Sequence, residues 1–448
     1  MTATACIPKR YAIRFAITRK VGLGLHSFLA WTRDGKGLVV SHGGSDNEEE
    51  GLFLLSLDNG EKRRLTSGLS LSPAFSPDGS RLAYVRSPGM SVDDLYVMNL
   101  SREIVPQGEP MQLTFMKEAL ASPSWTPDGR EIIFSSGTHM AQRSLWRVAA
   151  SPGSSPLREP LGEDGTTLAV SHDGRRLAYS RRVLDSDIWG IKLRSRTELS
   201  GPPAKLISST RIDSNPQFSP DGKRIVFNSH RSGAQEVWVA NADGTNPLQL
   251  SFAGGPMVAI PRWSPDGQTL VIHDLLGGVR GIDLISANGG AFRRVAQGEG
   301  NPTWSRDGKW IYFGREGQLW KVPSSGGAAV QVTKDGANGS AFESADGKFL
   351  YYVKELRIWR MPLTGGQERQ VVSEPLSFEM NLALVEDGLY LITSPGILCF
   401  FDFATSRLTP LITIHWFFGL AVSPDRRTIL YSQWEQANGS LMLVENFR

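Results

Sequence analysis

The residues most able to carry acid–base or metal chemistry in this chain are its histidines. They are scattered singly, without the spacing of a zinc site, and no His-Glu-x-x-His motif occurs. The seven are His26, His42, His139, His172, His230, His273 and His415. His273 and Asp274 stand together at the expected end of a strand, where an exposed loop pair is a better interpretation than a metal site. The sequence therefore predicts no metal centre.

Serines, glycines and cysteines give no stronger signal. A hydrolase nucleophile elbow needs Gly-x-Ser-x-Gly, and the segments at 43–47 and 68–72 both lack the last glycine. Gly22 and Gly24 lack the third glycine and the following helix of a dinucleotide loop. Cys6 and Cys399 lie far apart, so neither a zinc nor a disulfide framework is expected. We predict that the chain is not an enzyme and has no catalytic, cofactor-binding or metal-binding residues.

The composition is that of a soluble globular protein. The 448 residues are 40% hydrophobic and 21% charged, and a net charge of +3 implies no steering toward nucleic acid. No apolar run reaches the roughly 18 residues that a membrane span needs. The basic segment 1–22 lacks the apolar core of a signal peptide. The chain is therefore predicted to be cytoplasmic, or periplasmic if it is a fragment of a membrane-tethered protein.

The strands and turns that would position a functional site belong to a sequence repeat. Ten turns, nearly all of them Asp-Gly, each follow a short apolar stretch and precede an alternating apolar strand, at intervals of 38 to 50 residues. Their aspartates are Asp34, Asp78, Asp128, Asp173, Asp221, Asp266, Asp307, Asp346, Asp387 and Asp425. In Ser-Pro-Asp-Gly, as at 219–222, proline presets φ and glycine accepts a positive φ, so a tight turn between antiparallel strands is expected.

This period predicts an all-β fold of tandem β-propellers, built from about ten four-stranded blades. The residue three positions before each aspartate is apolar in nine units; Glu343 is the exception, and the neighbouring Phe342 is expected to take its role. Because a single sheet cannot bury both of its faces, the tryptophans are expected to pack blade against blade and not to form ligand cages.

The loop at 194–203 is the best candidate linker between two rings. We predict an N-terminal tail at 1–12 and an N-terminal propeller of about four blades at 13–200. That ring is either closed by residues 15–18 or truncated from a larger one. A C-terminal six-bladed propeller is predicted at 201–448, with residues 204–207 as its closing strand.

These units resemble the TolB-type propeller repeat (PD40, WD40-like), which is found in TolB-like proteins and tricorn-type proteases. The best match is residues 236–250, and the resemblance covers the chain from about residue 29 onward. The order of segments is also similar to the C-terminal propeller region of acidobacterial-type winged-helix transcriptional regulators, through residues 51–66, 261–267, 342–352 and 441–448. This sequence has neither a winged helix nor a membrane span, so the resemblance does not imply DNA binding by the chain itself.

The rigid scaffold and its variable loops predict a non-catalytic interaction or sensor module that binds a protein or peptide partner. Two alternatives remain: a propeller hydrolase or lyase with an axial active site, and a gating propeller associated with a peptidase. If a ligand binds, the loops at 228–233, 135–138 and 314–317 are the expected location.

Overall fold

The computed structural model describes residues 28–42, 50–89, 92–116, 118–137, 143–255, 257–276, 279–337, 340–394, 396–414 and 417–447. Within these ranges the chain forms 38 β-strands, arranged as eight four-stranded antiparallel sheets and one six-stranded sheet. None of these residues belongs to a helix with the length and apolar character required to cross a bilayer. The predicted all-β fold of tandem propeller blades is confirmed.

Three four-stranded sheets come first. Their strands are β1 Leu29–Trp31, β2 Gly37–His42, β3 Gly51–Ser56, β4 Lys62–Arg64, β5 Ser70–Phe75, β6 Arg81–Gly89, β7 Val92–Leu100, β8 Pro106–Gln112, β9 Ala119–Trp125, β10 Glu131–Gly137, β11 Arg143–Ala149 and β12 Leu157–Arg158. The innermost strands β1, β5 and β9 pack in succession, so each sheet covers one face of the next.

The six-stranded sheet joins the two parts of the chain. Its strands are β13 Gly165–Val170, β14 Arg176–Ser195, β15 Glu198–Leu199, β16 Ala204–Ile207, β37 Phe417–Val422 and β38 Thr428–Glu445. The 20-residue β14 and the 18-residue β38 pair along most of their length, with a register shift between Asp185 and Ser186. Before the shift, β14 pairs with β13 as a fourth N-terminal blade; after it, β14 pairs with β16.

The remaining five sheets are regular four-stranded blades. Their strands are β17 Asp213–Phe218, β18 Arg224–Ser229, β19 Glu236–Asn241, β20 Leu248–Gln249, β21 Val258–Trp263, β22 Thr269–Leu276, β23 Val279–Ser286, β24 Arg293–Gln297, β25 Glu299–Trp304, β26 Trp310–Arg315, β27 Gln318–Pro323, β28 Val330–Gln331, β29 Ala341–Glu343, β30 Phe349–Lys354, β31 Arg357–Pro362, β32 Arg369–Val372, β33 Leu382–Val385, β34 Gly388–Thr393, β35 Ile397–Asp402 and β36 Arg407–Thr413.

These five sheets and the second half of the shared sheet form a closed ring. The innermost strands β17, β21, β25 and β29 pack in succession, and β33 packs against β37, which in turn packs against β17. Leu382 and Leu391 share a core cluster with Tyr351 and Ile358, which completes the step from β29 to β33. We call these six sheets the C-terminal ring. The boundary at residue 200 stays a prediction, and the closing strand expected at 15–18 lies outside the described residues.

Nine of the ten aspartate turns share one hydrogen-bond pattern. The Ser or Thr hydroxyl two residues earlier donates to the aspartate Oδ1 at 2.5 to 2.7 Å. This bond is the main cause that lowers the pKa of each of these aspartates, that of Asp78 to about 2. The last turn has Arg426 in the glycine position, at φ 58°. Asp387 is the exception, since Val385 pairs with Gly388 across a two-residue turn.

The predicted role in blade packing is confirmed for three of the tryptophans, whereas Trp31, at the same repeat position, is 55% exposed. Trp125, Trp263 and Trp304, each three residues before a turn aspartate, donate their indole N–H to a backbone carbonyl of the preceding blade, at 3.0 to 3.3 Å. Phe342 packs, as expected, against an apolar cluster that its blade shares with the next one, and Glu343 forms a polar bridge to the preceding blade. Its carboxylate accepts bonds from the Tyr312 hydroxyl at 2.8 Å and from a backbone N–H at 3.0 Å, both in the preceding blade.

Candidate functional site

A cavity of about 550 Å³ opens on the C-terminal ring, on the face formed by the aspartate turns. All six innermost strands of the ring, β17, β21, β25, β29, β33 and β37, contribute to its walls. Serines and prolines of four turns form its mouth. Its volume is in the range of ligand pockets.

The repeat places one side chain per blade at the same level of this cavity, four positions before the turn aspartate. In chain order these residues are Gln217, Arg262, Thr303, Phe342, Ala383 and Ala421. Since alternate residues of a strand point to opposite faces, the next residue along each strand belongs to the packing between blades. The cavity surface at this level is therefore set by one position in each blade.

The two uncharged polar residues at this level are satisfied by hydrogen bonds. The Gln217 Oε1 accepts from the backbone N–H of Trp263 at 2.6 Å. The Thr303 hydroxyl donates to the carbonyl of Ala341 in the next blade. Both side chains therefore help to hold neighbouring blades together.

Arg262 differs from both. Its side chain is 8% exposed, and its Nε is buried with no hydrogen-bond partner among the described residues. Burial lowers the pKa of Arg262 to about 10, and no carboxylate offsets that effect. The bond from the Trp304 indole reaches the Arg262 carbonyl, so it does not require the arginine side chain.

A β-bulge lies just ahead of Arg262. The register of β21 against β22 shifts between Ala259 and Arg262, and Ile260 has a φ of 56°, an unusual conformation for a β-branched residue. The fully buried Asn228 of the preceding blade holds this bulge. Its Oδ1 accepts from the Ile260 N–H at 2.8 Å, and its Nδ2 donates to the Val258 carbonyl at 2.8 Å.

The rim of the cavity includes two arginines, Arg306 and Arg426. Arg306 is exposed, and Arg426 bonds to Glu386 at 2.5 Å and to Asp387 at 3.3 Å. Glu343 is the carboxylate of the wall, and the two bonds that tie it to the preceding blade already occupy it. A negative group that enters the cavity therefore meets Arg306 at the rim and Arg262 at depth.

The first residues of the loop at 228–233, where a ligand was expected, are buried or paired and contribute mainly to the fold. Asn228 and Ser229 are buried at the end of β18, and burial lowers the pKa of His230 to about 4. Arg231 bonds to the buried carboxylate of Asp213 at 2.7 Å. The loop at 314–317 is a hairpin between β26 and β27, and part of the segment 135–138 lies outside the described residues.

The expectation that His273 and Asp274 form an exposed loop pair is wrong, because both are buried in β22. Arg294 lies between Asp274, at 2.9 Å, and Asp283, at 2.5 Å. Burial, together with the neighbouring carboxyl of Asp283, raises the pKa of Asp274 to about 7. In the part of the chain that is described, no group of three or more His, Cys, Asp or Glu residues could hold a metal ion.

The sequence analysis missed Arg262, although a signal for it exists. Comparison of the position four residues before each turn aspartate shows nine uncharged residues and one arginine. In chain order they are Ala30, Ala74, Ser124, Ala169, Gln217, Arg262, Thr303, Phe342, Ala383 and Ala421. The alternation of a strand does not show which of its two faces lines a cavity. The closed ring shows that this position faces the cavity, and only then does the single arginine stand out.

The model of the TolB beta propeller domain family, PD40, matches residues 30–257. The Tol-Pal system protein TolB of Francisella tularensis subsp. mediasiatica (strain FSC147) is 25% identical over 247 residues, which are 53% of this chain and 53% of that protein. The protein of the same name from Francisella tularensis subsp. tularensis (strain SCHU S4 / Schu 4) matches with the same identity and coverage. The chain thus spans about half the length of the curated relatives it matches.

Solved structures are similar at lower identity. A putative TolB from Agrobacterium tumefaciens is 18% identical with a TM-score of 0.45, over 57% of this chain and 99% of that one. The tricorn protease is 15% identical with a TM-score of 0.31, over 92% of this chain and 42% of that one. Both scores are too low to bear on function.

Proposed function

Because the chain belongs to the TolB beta propeller domain family, we propose that it is a non-catalytic module that binds a segment of a partner protein through its C-terminal ring. The observation that carries this proposal is the cavity walled by all six innermost strands. Apolar side chains such as Phe342, Leu384 and Val422 line much of it, and charged groups stand at its rim. An apolar pocket with a few polar groups suits the side chains of a bound segment.

The TolB relatives support a protein as the partner, since they are proteins of the Tol-Pal system. A sensor role, as in the propeller region of winged-helix regulators, is a narrower form of the same proposal. It requires that ligand binding in the cavity change the conformation or activity of a further domain.

The cavity favours binding over acid–base catalysis. An axial hydrolase or lyase would need convergent carboxylates or histidines, within hydrogen-bond reach of one substrate. Among the described residues of the cavity wall, Glu343 is the one carboxylate, and histidine does not occur there. Since Glu343 is bonded to two groups of the neighbouring blade, it serves as a structural bridge.

Site-specific cross-linking tests this proposal. A benzoylphenylalanine in place of Arg306, at the cavity mouth, should cross-link to a discrete protein in cells after irradiation. The matched control is the same substitution at the exposed Val330, in the outermost strand of the same sheet. An equal pattern from both positions would argue against the cavity as the binding surface. No cross-link from position 306, with turnover of a hydrolase substrate panel, would argue for an enzyme.

A further inference from the structure

We propose that the cavity of the C-terminal ring binds a carboxylate of the partner segment, and that Arg262 forms the ion pair with it. This inference rests on the proposed function and specifies its ligand chemistry. In this proposal Arg262, deep in the cavity, recognises the negative charge, and the residues around it make apolar contacts.

The first argument is electrostatic. A guanidinium without a counter-ion is costly to bury, and folded proteins pair such groups almost without exception. Arg262 is more than nine-tenths buried, its Nε has no hydrogen-bond partner, and no carboxylate of the described part of the chain pairs with it. We therefore expect a bound ligand to supply the counter-ion of Arg262.

The second argument is that the scaffold does not need this side chain. Nine of the ten repeats have an uncharged residue at the same position, and five of those residues are Ala. The contact that ties the blade of Arg262 to the next one is made by its backbone carbonyl. An aliphatic residue would fill the position without the cost of a buried charge, so the arginine is best explained by binding.

The third argument is that Arg262 is held in place in advance. The bulge at Ile260 determines which residues of β21 face the cavity, and the two bonds of Asn228 fix that bulge. The same backbone conformation recurs six residues before the turn aspartate at Ser72, Ser122 and Asn215, so the bulge is a regular feature of the scaffold that carries Arg262. A backbone held in this way places the Arg262 side chain at the cavity before a ligand arrives, which favours affinity.

The chemistry of the walls indicates a singly charged, planar anion on an apolar segment. The planar guanidinium matches a carboxylate with two parallel hydrogen bonds. Its neighbours at the same level, Gln217 and Thr303, are neutral and already bonded, so they add no further positive charge. Phe342 and Val422 supply apolar contact for the rest of the segment. The carboxylate comes either from a peptide C-terminus or from an Asp or Glu side chain.

Two peptide libraries distinguish these sources. N-acetylated random tetrapeptides are prepared once as free acids and once as C-terminal amides, and both sets are selected on the immobilised full chain. A C-terminal carboxylate predicts that hits come from the free acids and lose at least tenfold in affinity as amides. A side-chain carboxylate predicts that hits occur in both libraries and share an Asp or Glu. Either result supports the proposal if it depends on Arg262.

Three variants establish that dependence. Arg262→Met should lose at least tenfold in affinity for the selected peptides and melt at the same or a higher temperature than wild type, because a buried unpaired charge is removed. Arg262→Lys should keep part of the affinity, since it keeps the charge but loses the fork. Arg306→Gln, at the rim, should change affinity less than Arg262→Met and reduce its dependence on salt.

Three results would overturn the inference. Peptides that bind Arg262→Met as tightly as wild type would show that the arginine is not part of the site, while the proposed function would stand. A large fall in the melting temperature of both Arg262 variants would show that the side chain has a structural partner. Failure of both libraries to bind the wild type would refute the carboxylate site, whereas the cross-link from position 306 decides separately on the proposed function.

Discussion

Replacement of Asn228 by alanine tests how the site is held in place. The fully buried amide of Asn228 makes two hydrogen bonds of 2.8 Å to the backbone of the next blade, at Val258 and Ile260. Each buried backbone group that loses its partner costs about 1–3 kcal/mol. Asn228→Ala should therefore lower the free energy of unfolding by about 2–6 kcal/mol, as the sum of two such groups.

The assay is equilibrium urea unfolding followed by tryptophan fluorescence. The control is Asn99→Ala, an exposed residue on β7, which should stay within about 0.5 kcal/mol of wild type. Asn228→Ser should recover part of the loss, because Ser135 and Ser432 bond to the backbone of a neighbouring blade in a similar way, at 2.7 and 3.2 Å. An Asn228→Ala protein as stable as Asn99→Ala would refute the role of the amide.

Three further predictions concern the turns and the buried carboxylates. Ser264→Ala removes a hydroxyl that bonds to Asp266 at 2.5 Å, and should cost about 1 kcal/mol in urea unfolding. The pKa of Asp78 is lowered to about 2, so its carboxylate stabilises the fold above about pH 4 and loses this effect as the pH falls toward 2. When the pH is lowered from about 4 to about 2, the melting temperature of Asp78→Asn should therefore fall less than that of wild type. The pKa of Asp274 is raised to about 7, so wild type should lose stability relative to Asp274→Asn as the pH rises from about 4 to about 7, and a constant difference in melting temperature would contradict this.

Much of the fold could be predicted from the sequence because the repeat acts locally. The aspartate turns depend on neighbouring residues, as the bond from Ser219 to Asp221 shows, so their chemistry is visible in four consecutive letters. The strands β14 and β38 could not be foreseen in this form. Each serves two blades, and their pairing depends on contacts between residues such as Arg176 and Glu445, which are far apart in the chain.

The candidate site was largely hidden from sequence reasoning for the same reason. The loop at 228–233 has polar residues typical of a binding loop, but Asn228 bonds to the next blade and Ser229 bonds to Arg231 of the same loop. The charge of Arg262 is plain in the sequence, yet its isolation is a property of the assembled ring, since it depends on which residues the other five strands bring to the cavity.

The most direct test of the account follows the Arg262 side chain itself. In protein labelled with ¹⁵N-arginine, the Nε–H resonance that disappears in Arg262→Lys belongs to Arg262. Addition of a selected carboxylate peptide should shift this resonance and slow its exchange with water, while its uncharged counterpart, the amide or the Asn/Gln form, should do neither. An unchanged Arg262 resonance at saturating peptide would contradict the central claim that this buried arginine binds a carboxylate of a partner protein.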